Sequence, residues 1–273
     1  MLAAAIVVAL VAACTGAEEG QSPPRAGSLD VRREQRISAA TVASDTLSDS
    51  ASIVGVFPEA DGDAIAFTFA DPVRGISSGL AIAGRDSAGP ALLWPDSVTG
   101  VWWSGPHALA FTAARRQGVH AVVDVHSAKA TVADDTVQRP PRAAAAPGRD
   151  DPAFVRAVKY VDSLHVQPAG QPQGSSLRYE VTSLRVAPDG RLGAFHVIAT
   201  DSAGRRSNPA WYALDVQTGA VQPIDEIVGP LSEMPERAAG WTGDGRFLYA
   251  KRATIWEATV RSVASRPAQQ PTP

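Results

Sequence analysis

Cysteine is almost missing from this chain of 273 residues: there is one, Cys14, so no disulfide can form within it and no thiolate cluster can hold a metal. Charge is scarce at 19% and nearly balanced, 25 basic residues against 28 acidic ones for a formal net charge of -3. No long basic run exists, so nucleic acid is excluded as a partner, and any electrostatic role has to be local. A membrane-spanning apolar stretch is missing from the N-terminus too, where MLAAAIVVALVAACTG offers an unbroken run of only about a dozen apolar residues, short of the roughly 20 that a helix needs. What the chain does have is 45% hydrophobic residues with 23 glycines and 21 prolines dispersed along it. That composition suits a soluble globular body of many short strands joined by turns, in one large all-β domain or two small ones, and not a helical bundle.

The short apolar run ending in small residues has the form of a signal-peptide core, so residues 1–13 stand outside the fold. Cys14 ends the series Val11-Ala12-Ala13-Cys14, which resembles the lipobox of bacterial lipoproteins. The resemblance implies that Cys14 is acylated and becomes the new N-terminus. It also implies localisation at the cell envelope, with Thr15 after the cysteine directing the protein to the outer membrane, facing the periplasm, in a Gram-negative cell. The plain alternative is a secretory peptide with an incidental cysteine. Residues 14–28, including TGAEEGQSPPRAGS, are polar and rich in Gly, Pro and Ser, and read as a flexible tether. Residues 264–273 have the same character and read as a disordered tail, which leaves residues 29–263 for the folded body.

Within that body one pattern recurs. VAPDGRLGAF (Val186 to Phe195) places Asp189-Gly190 between apolar residues. GWTGDGRFLYA (Gly240 to Ala250), VFPEADGDAIAF (Val56 to Phe67) and VWWSGPHALAF (Val101 to Phe111) do the same with Asp244-Gly245, Asp61-Gly62 and Gly105-Pro106. Each is a hairpin whose turn Gly, Asp or Pro chemistry favours. A basic turn and a third strand follow, and two of those third strands close on Asp-Val, at Asp124-Val125 and Asp215-Val216; a Thr218-Gly219 turn then leads to a fourth strand, AVQPI. Four short antiparallel strands make a propeller blade. Phe67 and Phe111 are 44 residues apart while Phe111 and Phe195 are 84 apart, so one unit is skipped between about Pro140 and Glu180. There PAFVRAVKYVDSLHV carries Phe154, Val155, Val158, Val161 and Leu164 at helical spacing after Pro152. The middle unit is therefore either a degenerate blade or an inserted helix. The expected fold is all-β, a β-propeller of about five four-stranded blades with a range of four to six, one of them degenerate or replaced by a helical insert. LDVRREQRISAATVA (Leu29 to Ala43) is placed to supply a strand that closes the ring.

The combination of APDGRLGAF, a basic turn and WYALDVQTG resembles the TolB-type propeller repeat, over Val181 to Asp225 and, more loosely, Ile53 to Pro95, Val98 to Asp134 and Ala238 to Arg261. The resemblance implies an architecture and no particular chemistry. Propellers of that family occur as periplasmic interaction proteins and as the regulatory domain of prolyl-oligopeptidase-like peptidases; no hydrolase domain is expected after the last unit of this chain.

Candidate chemistry is thin. Gly75-Ile76-Ser77-Ser78-Gly79 matches the G-x-S-x-G nucleophile elbow, but that motif works only where a strand turns into a helix, and here it falls between two strands. Of the histidines His107, His120, His126, His165 and His196, the pair His120 and His126 shares a strand face but lies about 20 Å apart along it, too far for one metal. Asp134-Asp135 and Asp150-Asp151 sit in loops with no partner at defined spacing. Trp94, Trp102, Trp103, Trp211, Trp241 and Trp256 fall on expected strands and read as packing, with one of the adjacent Trp102-Trp103 pair turned to the other side. No catalytic residue, metal site or cofactor is assigned. The remaining feature is a set of basic links between second and third strands: Arg74, Arg115-Arg116, Arg205-Arg206 and Lys251-Arg252. Equivalent links of a propeller gather at one end, so these side chains would ring one mouth and suit an envelope protein or an anionic glycan. The bland alternative is that Arg is a well-solvated choice in this turn. The expected function is a non-catalytic interaction module anchored to the membrane by its acyl chain; the alternatives are a secreted glycan-active hydrolase and a propeller related to the peptidase regulatory domain.

Overall fold

The structure, a computed structural model, describes residues 28–38, 48, 50–60, 64–84, 91–94, 97–113, 120–124, 129–133, 147–164 and 177–263. The signal core, Cys14, the tether, Arg115, Arg116, His126, His165, Asp134, Asp135 and the tail lie outside the described residues. The described residues form four antiparallel sheets of four strands each. The first holds β2 (Ser52–Pro58), β3 (Ala64–Asp71), β4 (Ile76–Gly84) and β5 (Ala91–Trp94), in that order. The second holds β6 (Val98–Gly105), β7 (Ala108–Ala113), β8 (His120–Asp124) and β9 (Lys129–Ala133). After the helix α1 (Pro152–Leu164) comes the third, β10 (Arg178–Val186), β11 (Leu192–Thr200), β12 (Arg206–Asp215) and β13 (Val221–Glu226). The fourth takes β14 (Ala239–Trp241), β15 (Arg246–Lys251) and β16 (Thr254–Val263) from the end of the chain and completes itself with β1 (Ser28–Ser38), paired along β16 from Ser28–Val263 to Ser38–Thr254.

The repeated hairpins are β2–β3, β6–β7, β10–β11 and β14–β15, the first two strands of each sheet. Gly190 and Gly245 take φ of 70° and 79° in their turns, a region where a side chain would be strained. Asp189 Oδ1 accepts the Arg191 N–H at 2.9 Å, and Thr242 Oγ1 accepts that of Arg246 at 2.9 Å, so the turn's own side chains satisfy its backbone.

Because side chains alternate along a strand, each sheet has two faces, and in the first, third and fourth sheets both are covered. On β3, Ala64 and Ala66 face the second sheet with Leu109 and Phe111, while Ile65, Phe67 and Phe69 face the fourth with Leu248 and Ala250. On β15, Phe247 and Tyr249 turn the other way, towards Ala194, Trp211 and Ala213 of the third sheet. Packing thus runs in series from the second sheet through the first and fourth to the third. A bulge between Gln35 and Ile37 lets β1 serve two interfaces: Leu29 packs towards the third sheet and Ile37 towards the first. The result is an all-β, propeller-like arrangement of four sheets, at the low end of the expected four to six.

The helix stands where a further unit was expected in the sequence. Asp151 Oδ1 accepts the Ala153 N–H at 2.8 Å, an N-cap just ahead of Pro152, which starts the helix without needing a donor. So Asp151 of the Asp150-Asp151 pair is a helix cap. Ala153, Ala157 and Val161 then bury against Leu184, Phe195, Val197 and Leu214, the face of the third sheet turned away from the fourth. Tyr160 sits 6.3 Å from Phe195 and 5.7 Å from Tyr212, ring to ring. Val155, expected on the apolar stripe, is exposed; the stripe runs through the small residues Ala153 and Ala157, which let the helix approach closely. Phe195→Ala is expected to lower the free energy of urea unfolding by about 3–5 kcal/mol, through lost burial and the cavity left under α1. Val155→Ala, at a solvent-facing position, should change it by no more than about 0.5 kcal/mol.

Candidate functional site

The antiparallel order puts every link between second and third strands at one end of the sheets and every first hairpin turn at the other. Arg74 closes a single 3-10 turn, Pro72–Arg74, between β3 and β4. Arg205 and Arg206 lead from β11 into β12, and Lys251 and Arg252 from β15 into β16. These are equivalent places in the first, third and fourth sheets, as the repeat implies.

All five described basic side chains meet a carboxylate. Arg74 Nε lies 3.8 Å from Asp71, Arg205 Nε 2.7 Å from Asp201, Arg206 Nη2 3.5 Å from Glu180, Lys251 Nζ 2.8 Å from Asp225 and Arg252 Nε 3.4 Å from Glu233. In each pair the acid is the more buried partner; for Arg205 and Asp201 the exposures are 83% and 25%, for Arg252 and Glu233 69% and 32%. Such exposed pairs add little to stability. Their effect is orientation: the acids brace the link from within and the cations cap it. Arg205 and Arg252 address their acids through Nε. Two bare apolar side chains share this end, Val73 (74% exposed) beside Arg74 and Val228 (88%) in the link after β13.

The bracing acids are tied into the backbone. Burial pushes the Asp71 carboxyl up, but the hydroxyl and N–H of Ser48, at 2.6 and 2.8 Å, with the N–H groups of Arg74 and Val73, hold it below the usual carboxylate range. Asp201 is held down by the N–H and guanidinium of Arg205. Asp225 accepts from Arg33 of β1, Lys251 and the Tyr249 hydroxyl, each at 2.8 Å, and so fastens the N-terminal strand to the third sheet. Asp215, which ends the third strand of its repeat, caps the N–H groups of Gln217 and Thr218 in the Thr-Gly turn and accepts from Ser262 of β16.

Other expected motifs resolve as scaffold. Gly75 is the left-handed cap of the 3-10 turn, with φ 69°, and Ser77 opens β4, bonded to Ser97; a strand and no helix follows, so the elbow geometry is missing. Of the tryptophan pair, Trp103 joins the interface between first and second sheets and donates to the Phe57 carbonyl at 3.1 Å. Among the described residues no group of three or more His, Cys, Asp or Glu could hold a metal ion, and no helix is long and apolar enough to cross a membrane.

The sequence did not single out two polar clusters. At the hairpin end, the backbone N–H of His107, itself at φ 57°, donates to Oε1 of the buried Glu59 at 2.6 Å, and its Nδ1 lies 3.3 Å from the same oxygen. In the seam between third and fourth sheets, Ser183, His196 and Trp211 form one row across β10, β11 and β12. His196 Nδ1 accepts from the Thr182 hydroxyl at 2.7 Å while Nε2 donates to the Met234 carbonyl at 3.2 Å, which fixes a neutral tautomer. Burial, with the Arg185 guanidinium nearby, pushes the His196 pKa down to about 4, although the bond to Met234 opposes this. A lone histidine inside an apolar strand carries no sequence signal for this role.

No protein family profile matches the chain, and no curated protein sequence matches it. Among solved structures it is similar to an oligogalacturonate lyase from Vibrio parahaemolyticus, with 9% identity and a TM-score of 0.23 over 83% of this chain and 55% of that one. It is similar also to a putative TolB from Agrobacterium tumefaciens (14%, 0.24, 77% of this chain, 74% of that one) and to a streptogramin B lyase (12%, 0.21, 77% and 65%). The chain thus spans little more than half the length of the Vibrio lyase. Overlaps this slight carry no weight for activity, and the architecture stands on the registers and contacts above.

The depressed pKa of His196 makes stability pH-dependent. Unfolded, the imidazole takes up a proton near pH 6.5; folded, it does so only near 4, so the unfolded state is favoured as pH falls through that window. Urea unfolding should show stability fully present above pH 6.5 and up to about 3 kcal/mol lost on reaching pH 4. His196→Gln should flatten that slope, and an unchanged slope would remove His196 as its source.

Proposed function

We propose that this protein is a lipid-anchored protein of the bacterial cell envelope whose four-sheet body is a non-catalytic binding module, presenting the basic end to an anionic partner surface. The observation that carries the reading is the repeated construction of the link end. Three sheets place cations at the same point, each held from below by a more buried acid, with Val73 and Val228 bare beside them. Braced cations lose little side-chain freedom on contact, and apolar neighbours add burial, so the end suits an acidic protein surface or an anionic glycan.

Topology adds a direction. β1 starts at Ser28, opposite Val263, at the hairpin end of the fourth sheet. The tether expected from the composition of residues 14–28 would have an r.m.s. reach of about 20 Å, and a ten-residue strand is about 33 Å long. The acyl anchor therefore keeps the hairpin end near the membrane, at the outer membrane facing the periplasm in a Gram-negative cell, and turns the basic end away from it. The partner reaches the module from the aqueous side. A glycan-active hydrolase would need two carboxylates facing one pocket, whereas Asp71, Asp215, Asp225 and Glu257 are each engaged by scaffold groups.

Two measurements check this. Fatty-acid labelling in cells should mark the wild type and leave Cys14→Ala unlabelled; label retained in the variant ends the lipoprotein reading. A photocrosslinking side chain at Ser202, beside Arg205, should capture an envelope partner, while one at Asp189 on the hairpin end should not. The pair Arg205→Glu and Arg252→Glu should reduce capture by about tenfold, as expected for reversing two contact charges. Equal capture at Asp189, or none at Ser202, would remove the basic end as the contact surface.

A further inference from the structure

The seam between the third and fourth sheets contains a cation whose local bonding is incomplete. Arg185 lies on β10, the first strand of its sheet, two residues beyond Ser183 and therefore on the same strand face. Its row neighbour Ala194 belongs to the apolar cluster of the seam, so both side chains point towards the fourth sheet. Arg185 Nη2 donates to the Glu236 carbonyl at 3.1 Å, and its own carbonyl accepts from Trp241 Nε1 of β14 at 2.9 Å, which ties the two first strands together at this point. Its Nε, however, is buried with no partner, and so is the Ser183 hydroxyl. The guanidinium forms no ion pair among the described residues: the Glu236 carboxylate is near enough to act on it electrostatically without closing a contact. Buried donors are almost always satisfied in proteins, and a desolvated guanidinium calls for an acceptor carrying negative charge.

We propose that this seam is a binding site for a carboxylate monoanion, one oxygen taking the Arg185 Nε–H and the other the Ser183 hydroxyl. The charge of the ligand follows from its surroundings. Arg185 supplies one positive charge; His196 is locked neutral between Thr182 and Met234, and Glu236 opposes added negative charge. A dianion such as sulfate would be left under-neutralised. The walls are aromatic: Trp211 stands 4.9 Å from Phe247 and Trp241 5.1 Å from it, ring to ring, so the site favours a carboxylate with an apolar or flat body over a strongly hydrated one. The Nε1–H of Trp211, in the Ser183 row, is a third unpartnered donor in the seam. The site is separate from the basic links of the proposed contact surface and does not rest on that reading.

The test uses the indole N–H resonances of the 15N-labelled protein, with the Trp211 and Trp241 signals assigned through Trp211→Phe and Trp241→Phe. Sodium acetate or sodium benzoate, titrated at constant ionic strength against sodium chloride, should move at least one of the two signals saturably, benzoate at lower concentration. Arg185→Gln should weaken binding by about tenfold or more, Ser183→Ala by about fivefold, and Glu236→Gln should tighten it by a few-fold. Each variant is first shown to keep the wild-type dispersion of strand amides. Ser183→Ala and Glu236→Gln alter partly buried or rim positions, so they keep the test decisive if Arg185→Gln unfolds. Absence of a saturable shift with either carboxylate overturns the proposal. So does equal or tighter binding of sulfate, or affinity unchanged in Ser183→Ala and Glu236→Gln.

Discussion

Burial of both faces of the first, third and fourth sheets is the constraint on which the rest of the structure depends. The second strands show it most directly: AIAFTFA, LGAFHVIA and RFLYA are nearly continuous apolar runs, because alternate residues serve different neighbours. The third sheet has the fourth on one face and α1 on the other, and the alanines at 153 and 157 are what allow a helix to lie where a flat sheet would otherwise pack. In the fourth sheet, three strands come from one end of the chain and the fourth from the other, so the closing strand joins residues more than 200 positions apart. That long-range pairing buries Leu29, Val31 and Ile37 and covers what would be an exposed edge of β16.

Buried carboxylates do the corresponding polar work. Asp225 gathers Arg33, Lys251 and Tyr249, drawn from β1 and β15, and Glu257 holds Arg36 and Arg246 from the two strands beside its own. Two arginines of the charged run RREQR in β1, Arg33 and Arg36, are therefore fastenings, supplying cations to acids on β13 and β16. Asp71 and Asp215 perform the same service for turns, accepting backbone N–H groups that would otherwise be left without partners. With these acids occupied in this way, the buried groups left without a hydrogen-bond partner in the seam between the third and fourth sheets are Arg185 Nε, the Ser183 hydroxyl and Trp211 Nε1.

The two ends of the sheets differ in kind. At the hairpin end, turns of neighbouring sheets press on each other: the Glu59 carboxylate holds His107, and Gly243 lies so close to the Ala60 carbonyl that a Cβ there would fall 1.8 Å from it. That contact leaves no room for any other residue at 243. At the link end the described cations are paired with acids, and the cation is the more exposed member of every pair. Close packing of turns belongs with the end from which β1 starts, and exposed cations with the opposite one.

Much of this was legible in the residues. The Asp-Gly hairpins of VAPDGRLGAF and GWTGDGRFLYA, the third strands closing on Asp, the helical spacing after Pro152 and the use of the Leu29 segment as a strand all follow from local chemistry, since turn preference, strand alternation and helix start are decided by neighbours in sequence. The placement of Arg74, Arg205, Arg206, Lys251 and Arg252 at one end followed from the same periodicity. What pairing across the fold decided was everything that depends on distant neighbours. Among the described residues the middle unit is the helical insert and not the degenerate blade, Val155 faces solvent while Ala153 and Ala157 face Phe195, and each described basic link finds its own acid. Arg185, Ser183 and His196 look in sequence like ordinary polar residues on a strand. Only the approach of the fourth sheet, which buries Arg185 Nε and the Ser183 hydroxyl without giving either a partner, sets them apart.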